Sequence, residues 1–227
     1  NWWNFLNANS IYEVPSIYSK AGLDKVLLEH LGYDISKYPL NLEAWENLTN
    51  KINNLKKEVT IGVVGKYTNL KDSYKSLIEA LNHGGIENNV KVEINWINAE
   101  KIKTSELVKE LKSVDGILIP GGFGYRGVEG KILAIKYARE NNIPFFGICL
   151  GMQLSVIEIA RNVFDLSDSN STEFQSTKNP VVSLMTEWQN KNKIEKRDLT
   201  SDKGGTMRLG AYKAILKKHY KVSEIYN

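Results

Sequence analysis

The chain has 227 residues, of which 42% are hydrophobic and 25% are charged, proportions typical of a globular protein rather than a disordered or fibrous one. The formal net charge is only +4 and is dispersed, which argues against a nucleic-acid-binding protein. One cysteine excludes an internal disulfide, and no apolar run approaches the ~18 residues of a membrane helix, so we expect a cytoplasmic protein without nucleic-acid or membrane partners.

The first part of the chain is rich in helix formers and shows no alternation of strands and helices. Apolar residues at three- and four-residue spacing predict one helix over residues 16–31 and a second over residues 41–55. Residues 51–57 are polar and basic, and we interpret them as a linker. We therefore predict a first segment at residues 1–57 and a second at residues 58–227.

The second segment alternates between predicted strands and predicted helices. The strands are expected at residues 59–64, 90–97, 116–119 and 143–148, with a further candidate at 181–185, and the helices at 73–81, 104–112, 127–141 and 152–162. We expect His83-Gly84-Gly85 to cap the first of these helices. The alternation predicts a doubly wound, mostly parallel α/β sheet, whose ligands bind at the carboxyl ends of strands. The loops after Val64, Ile119 and Ile148 are therefore the candidate site.

Cys149 lies in the sequence Gly147-Ile148-Cys149-Leu150-Gly151, between a predicted strand and a predicted helix. A nucleophile flanked by glycines at such a corner is a nucleophile elbow, in which the nucleophile has a strained backbone and only small neighbours fit. The helix N-terminus favours the thiolate form of the cysteine. An ordinary buried cysteine is the alternative, but the paired glycines favour a nucleophile.

A second glycine-rich stretch, Pro120-Gly121-Gly122-Phe123-Gly124, directly follows the predicted strand at residues 116–119. Repeated glycines let backbone N–H groups converge on one point, as cleavage of an amide through a thioester requires for its oxyanion. A simple glycine turn is an equal alternative for this stretch alone. Because the elbow follows one strand–helix unit later, we expect the two loops to lie side by side and predict an oxyanion hole.

Together the strings PGGFG and GICLGMQ resemble the class I, triad-type glutamine amidotransferase domain. Longer strings resemble the CTP synthase family: VVGKY at 63–67, GGFGYRGVEG at 121–130, NSTEF at 170–174 and GGTMRLG at 204–210. SIYEVP at residues 10–15 is similar to the end of that family's amidoligase domain. The resemblance covers residues 10–227 and implies a flavodoxin-like fold, incomplete at its C-terminus, attached to an amidoligase tail.

For function, the resemblance implies glutamine hydrolysis through a thioester on Cys149. The ammonia would serve the ATP- and Mg²⁺-dependent amination of UTP to CTP in the full-length enzyme, with GTP as activator. It implies no cofactor or metal ligands within this chain, and a homotetramer for the full-length enzyme. On this interpretation the chain is a fragment of a longer protein.

The resemblance also implies roles for individual residues. For glutamine and the oxyanion the implied set is Gly122, Leu150, Gly151, Met152, Gln153 and Glu173, the last binding the substrate's α-ammonium group by charge-assisted hydrogen bonds. For GTP activation the implied set is Arg126, Gly127, Glu129, Thr206 and Arg208. Without the surrounding NSTEF string, Glu173 would be interpreted as a solvated surface residue, and Arg126 and Arg208 are equally compatible with ordinary surface ion pairs.

The sequence departs from the family at the catalytic base. The family uses a His-Pro-Glu motif, whereas neither Pro nor Glu follows His30, His83 or His219. Two alternatives therefore stay open beside a glutaminase. One is a catalytically silent binding or regulatory module, and the other, ranked last, is a small intracellular peptidase of the same fold, which would need a histidine soon after Cys149.

Overall fold

The computed structural model describes residues 8, 10–66, 71–100, 104–185, 187–190, 193–196 and 213–226. The chain divides into two compact units, Asn1–Ser183 and Leu184–Asn227. Among the described helices, none combines the length and the apolar character needed to cross a membrane.

Among the described residues, three α-helices precede the sheet: α1 (Val14–Lys20), α2 (Leu23–His30) and α3 (Glu43–Asn53). The single helix predicted over residues 16–31 is wrong, because Gly22 adopts a left-handed conformation with φ of 81° and separates α1 from α2. The helix predicted over residues 41–55 is confirmed as α3, with narrower bounds.

A four-stranded parallel sheet forms the centre of the first unit. Its strands are β1 (Lys57–Gly65), β2 (Val90–Asn98), β3 (Gly116–Ile119) and β4 (Phe145–Gly147). They are arranged in the order β2-β1-β3-β4, and every neighbouring pair is parallel. This order is that of a flavodoxin-like, doubly wound sheet, so the predicted α/β class is confirmed.

The helices between the strands are α4 (Lys75–Glu87), α5 (Thr104–Leu111), α6 (Val128–Glu140) and α7 (Leu150–Asn162). Helix α6 packs against both α5 and α7, while α4 packs against β2. Right-handed crossovers place α4 on the opposite face of the sheet from the other three. The core between them consists of fully buried apolar side chains such as Val64, Ile119, Leu154 and Ile157.

The cap predicted at His83-Gly84-Gly85 is wrong, because α4 continues through these residues to Glu87. A Cβ atom on Gly85 would lie 2.7 Å from the carbonyl oxygen of Val90 and 2.7 Å from a methyl carbon of Val92. Gly85 therefore serves the close packing of α4 on β2 rather than the end of the helix.

After α7, the short strands β5 (Asn170–Ser171) and β6 (Pro180–Val182) form a parallel pair, so the strand candidate at residues 181–185 is present with shifted bounds. In the second unit, β7 (Glu187–Asn190) and β8 (Lys193–Lys196) form an antiparallel hairpin, and α8 (Lys221–Ile225) follows. The turn predicted around residues 203–206 lies outside the described residues.

Candidate active site

Cys149 stands at the corner between β4 and α7, with an exposed thiol. Its backbone has φ of 52° and ψ of −104°, a conformation that non-glycine residues rarely adopt. Gly151 N donates to Ile148 O at 2.9 Å, and Gln153 N donates to Cys149 O at 3.1 Å, so the helix begins immediately at the cysteine. The strained elbow expected from the sequence is therefore present.

The glycines that flank Cys149 are required by close backbone contacts. A Cβ atom on Gly147 would lie 2.5 Å from the carbonyl carbon of Gly151, and a Cβ on Gly151 would lie 2.3 Å from the carbonyl oxygen of Ile119. No larger residue fits at either position without displacing backbone. The same contacts bring the end of β3 against the start of α7.

The glycine loop that follows β3, residues 120–127, lies beside the elbow as expected. Ile148 N donates to Ile119 O at 2.9 Å, which joins the two strand ends. A Cβ atom on Gly121 would lie 3.5 Å from Cys149 Cβ, and one on Gly122 would lie 3.6 Å from a methyl carbon of Leu150. The backbone of the glycine loop therefore borders Cys149.

Glu173 reaches the same loop from the segment that follows β5. Its Oε1 accepts a hydrogen bond of 2.8 Å from the backbone N–H of Gly124, and its own N–H donates to Ser171 Oγ at 3.1 Å. Oε2 makes no hydrogen bond within the described part of the chain. One carboxylate oxygen thus holds the glycine loop, and the other is available to a ligand.

The other residues predicted for the glutamine pocket differ in how much they can offer. The side chain of Leu150 is fully buried in the core, so only its backbone can face a ligand. Gly151 is buried, Gln153 is partly buried, and Met152 is 55% exposed. All four lie in the first turn of α7, directly after Cys149.

Arg126 and Glu129, two charged residues predicted for the activation region, are each held by an ion pair. Arg126 makes hydrogen bonds of 2.6 and 2.9 Å to Glu100, and Arg161 lies 3.0 Å from both carboxylate oxygens of Glu129. Gly127 has φ of 70° and packs closely on Ala99. The other two members of the predicted set, Thr206 and Arg208, lie outside the described residues.

The contacts around the glycine loop and the predicted activation region include three residues to which the sequence interpretation gave no role: Lys66, Glu100 and Arg161. Lys66, at the carboxyl end of β1, donates through Nζ to the carbonyl oxygen of Phe123 in the glycine loop. Its position directly after a buried strand was the signal that could have identified it. Glu100 also follows closely after a strand, β2, whereas Arg161 lies near the end of α7 and carries no comparable signal.

A buried cation lies close to this network. Lys131, in the first turn of α6, is only 1% exposed, and burial lowers the pKa of its ammonium group to about 8. The positive charge of Lys66 contributes to this lowering of the pKa, while the negative charge of Glu100 opposes it. The hydrogen bonds from Arg126 hold the pKa of the Glu100 carboxyl below its usual range.

Two of the three histidines, His30 and His83, lie in the first unit, and neither makes a hydrogen bond to Cys149. His83 Nε2 lies 2.5 Å from Tyr12 Oη and 3.9 Å from Glu79, on the side of α4 that faces the N-terminal segment. His30 is the last residue of α2, and His219 belongs to the second unit. Within the described residues, no histidine nitrogen is hydrogen-bonded to the Cys149 thiol.

The comparisons with known proteins agree with this geometry. The family described as Glutamine amidotransferase class-I matches residues 69–226. The chain is 53% identical over 221 residues to a CTP synthase of Brucella melitensis and 55% identical over 221 residues to one of Rhizobium etli, covering 97% of this chain and 41% of each relative. The chain thus spans less than half the length of these curated relatives.

A solved structure gives the same indication. The glutaminase domain of Trypanosoma brucei CTPS with bound acivicin is 44% identical to this chain, with a TM-score of 0.53, covering 56% of this chain and 50% of that one. The strained cysteine at a strand–helix corner, the glycine loop beside it and the family match over residues 69–226 lead to one conclusion: the chain belongs to the class I glutamine amidotransferase family.

Proposed function

We propose that this chain hydrolyses glutamine with Cys149 as nucleophile and supplies the ammonia for synthesis of CTP from UTP. The observation that carries the proposal is the position of the glycine loop, whose backbone borders the cysteine at the elbow. A nucleophile with a strained backbone next to the N–H groups of a glycine-rich loop suits attack on a carboxamide carbon and stabilisation of the resulting oxyanion.

The chemistry requires four events. The Cys149 thiolate attacks the side-chain amide carbon of glutamine, and backbone N–H groups near Gly122 and Leu150 stabilise the oxyanion. The tetrahedral intermediate collapses to a thioester as protonated nitrogen leaves as ammonia, and water then releases glutamate and the thiol. The proton removed from the thiol is returned to the leaving nitrogen by a base, a role that we assign to no described residue.

We assign binding of the α-ammonium group of the substrate to Glu173. Its Oε1 is occupied by Gly124, so Oε2 would accept from the ammonium. Gln153, partly buried one turn after Cys149, would contribute to the same pocket together with the exposed Met152 and the backbone of Gly151.

For the complete protein, the similar CTP synthases suggest ATP, Mg²⁺ and UTP as further substrates and ligands, GTP as an activator, a homotetramer and a cytoplasmic location. Among the described residues there is no group of three or more His, Cys, Asp or Glu side chains that could hold a metal ion. We propose that ATP and Mg²⁺ bind elsewhere in the complete protein. Arg126, Gly127 and Glu129, with Thr206 and Arg208, are the proposed activation region.

The test uses the complete gene product. We expect the wild type to release glutamate from glutamine and to form CTP from UTP with ATP. Cys149→Ser should lower glutamine hydrolysis by at least about 10³-fold, because a hydroxyl without thiolate character is a poor substitute. Ammonium chloride should restore CTP formation in the same variant, and equal melting temperatures would show that its fold is intact.

Acivicin provides a second measurement, because it is bound in the similar T. brucei domain. We expect it to block hydrolysis and expect glutamine to protect against it. Unchanged hydrolysis in Cys149→Ser would disprove the thioester mechanism. A complete protein that folds but neither hydrolyses glutamine nor binds acivicin would instead support the silent-module alternative.

A further inference from the structure

The peptide unit that joins Phe123 to Gly124 is held at both of its polar atoms by charged side chains from other parts of the fold. Its carbonyl oxygen, on Phe123, accepts from Lys66 Nζ. Its N–H group, on Gly124, donates to Glu173 Oε1 at 2.8 Å. A cation thus meets the negative end of the peptide dipole and an anion meets the positive end, so both hydrogen bonds are charge-assisted.

The side chains next to this peptide add little to its restraint. Phe123 is 63% exposed and Tyr125 is 73% exposed, so their rings contribute little packing to the loop. Gly124 adopts φ of 74° with no atom near the position of a Cβ, which leaves its backbone torsions unrestrained by a side chain. The two hydrogen bonds are therefore the direct restraints on the orientation of the Phe123–Gly124 peptide.

The position of Lys66 connects this peptide to the reacting atoms. Lys66 directly follows the last residue of β1, and its Cε would lie 3.9 Å from a Cβ atom built on Gly122. Gly122 in turn lies over Leu150, the residue after the nucleophile. Holding the carbonyl group of Phe123 in place therefore also restrains the orientation of the backbone N–H groups that immediately precede it in the chain. These N–H groups border Cys149.

We propose that Lys66 is a positioning residue of the glutaminase, which fixes the Phe123–Gly124 peptide opposite Glu173 and so keeps the oxyanion-binding backbone preorganised. The expected effect of Lys66 on catalysis rests on the proposed function. The restraint of the loop by Lys66 does not depend on that function. Lys66 does not touch the reacting carbon, and its effect passes through the loop.

The test compares Lys66→Met, which keeps the length of the side chain and removes the ammonium, with Lys66→Arg, which keeps the charge and the donor. Lys91→Met is the matched control, because Lys91 is exposed at the start of β2, at the opposite end of the sheet from the site. All variants are made in the complete gene product.

We expect Lys66→Met to lower kcat for glutamine hydrolysis by about 10- to 100-fold, a smaller effect than the loss of a whole oxyanion donor. KM for glutamine should stay within about threefold, because ground-state binding does not use the oxyanion site. The rate at which iodoacetamide alkylates Cys149, followed by peptide mapping, should be unchanged. Lys66→Arg should recover most of kcat, and Lys91→Met should resemble the wild type.

Amide hydrogen exchange gives a measurement that needs no turnover. Peptides covering residues 120–127 should exchange faster in Lys66→Met than in the wild type, Lys66→Arg or Lys91→Met. If the complete protein hydrolyses no glutamine, the proposed function fails, and the exchange data still decide whether Lys66 holds the loop.

Unchanged exchange of residues 120–127 in Lys66→Met would overturn the inference. In an active protein, kcat within about twofold of the wild type would also overturn it. A parallel fall of kcat, melting temperature and Cys149 alkylation would do the same, since that pattern assigns Lys66 to the stability of the fold rather than to the loop.

Discussion

Arg161 and Glu129 form an ion pair in which Arg161 Nη1 lies 3.0 Å from both carboxylate oxygens of Glu129. The Nε of the same arginine donates to the buried carbonyl of Ser169 at 2.7 Å. Ser169 immediately precedes β5, and Glu173 follows that strand. Arg161 therefore links the first turn of α6, in the proposed activation region, to the segment that carries Glu173.

We expect Arg161→Met to raise KM for glutamine by about three- to tenfold, because the loss of a charge-assisted hydrogen bond to Ser169 loosens the segment leading to Glu173. Glu129→Gln is the matched control, because it weakens the ion pair and leaves the bond to Ser169 in place. Steady-state kinetics on the complete protein measure both variants. Equal KM values for Arg161→Met and the wild type would contradict the expectation.

Substitutions of Glu173 should separate its two contacts. Glu173→Gln retains an oxygen for the N–H of Gly124 but loses the charge that an α-ammonium group would meet, so we expect KM for glutamine to rise about tenfold or more with a smaller change in kcat. Glu173→Ala loses both contacts, and kcat should also fall. Identical kinetic constants for the two variants would refute the idea that the Glu173 carboxylate both holds Gly124 and binds the α-ammonium group.

The adjacent glycines of α4 offer a test of packing. Nothing lies within 4 Å of a Cβ on Gly84, whereas a Cβ on Gly85 would lie 2.7 Å from Val90 O. Gly84→Ala should raise the free energy of unfolding by about 0.5–1 kcal/mol, because alanine favours the helix. Gly85→Ala should lower it by about 1–3 kcal/mol through overpacking.

Urea titration of both variants measures these changes. The two substitutions share the same helix and differ by one position, so each serves as the control for the other. Changes of the same sign at Gly84 and Gly85 would contradict the packing of α4 on β2.

Lys131 should make stability depend on pH in the alkaline range. Its folded-state pKa of about 8 lies below the ordinary value of 10.5, so the buried charge opposes folding below pH 8. Between these two values the unfolded chain binds the proton and the folded chain does not. The contribution of Lys131 to the free energy of unfolding therefore rises with pH through this window.

Lys131→Met should consequently be more stable than the wild type at pH 7, by up to about 3 kcal/mol, and the difference should shrink toward pH 10.5. Urea unfolding at several pH values measures it. Lys136→Met, at a more exposed position of the same helix, should show little pH-dependent difference from the wild type. A constant difference between Lys131→Met and the wild type would contradict the burial of a titrating ammonium.

The sequence predicted the elements of the sheet well. The strand Gly116–Ile119 was predicted with its observed bounds, and α6 and α7 were predicted to within two residues at each end. These segments carry strong local signals, namely short β-branched or apolar runs and helical periodicity. The prediction of helix ends failed at three glycines. Gly22 ends a helix that was predicted to continue, whereas α4 continues through Gly84 and Gly85, where it was predicted to end.

The position of the candidate site was also predictable, because parallel strands deliver their loops to one edge. Cys149 and the glycine loop do lie together there. The contacts of the charged residues were not predictable. Lys66 reaches Phe123 across 57 residues, and Glu173 reaches Gly124 across 49. No periodicity or spacing in the sequence relates residues so far apart.

The sequence alone determined the α/β class, the nucleophile elbow and the glycine loop, because each depends on steric rules that act over a few residues. The tertiary structure alone decided that Lys66 and Glu173 hold opposite ends of one peptide, that the side chain of Leu150 is buried, and that Arg161 joins Glu129 to Ser169. Those pairings depend on how the folded chain brings distant backbone and charge together, which local steric rules do not specify.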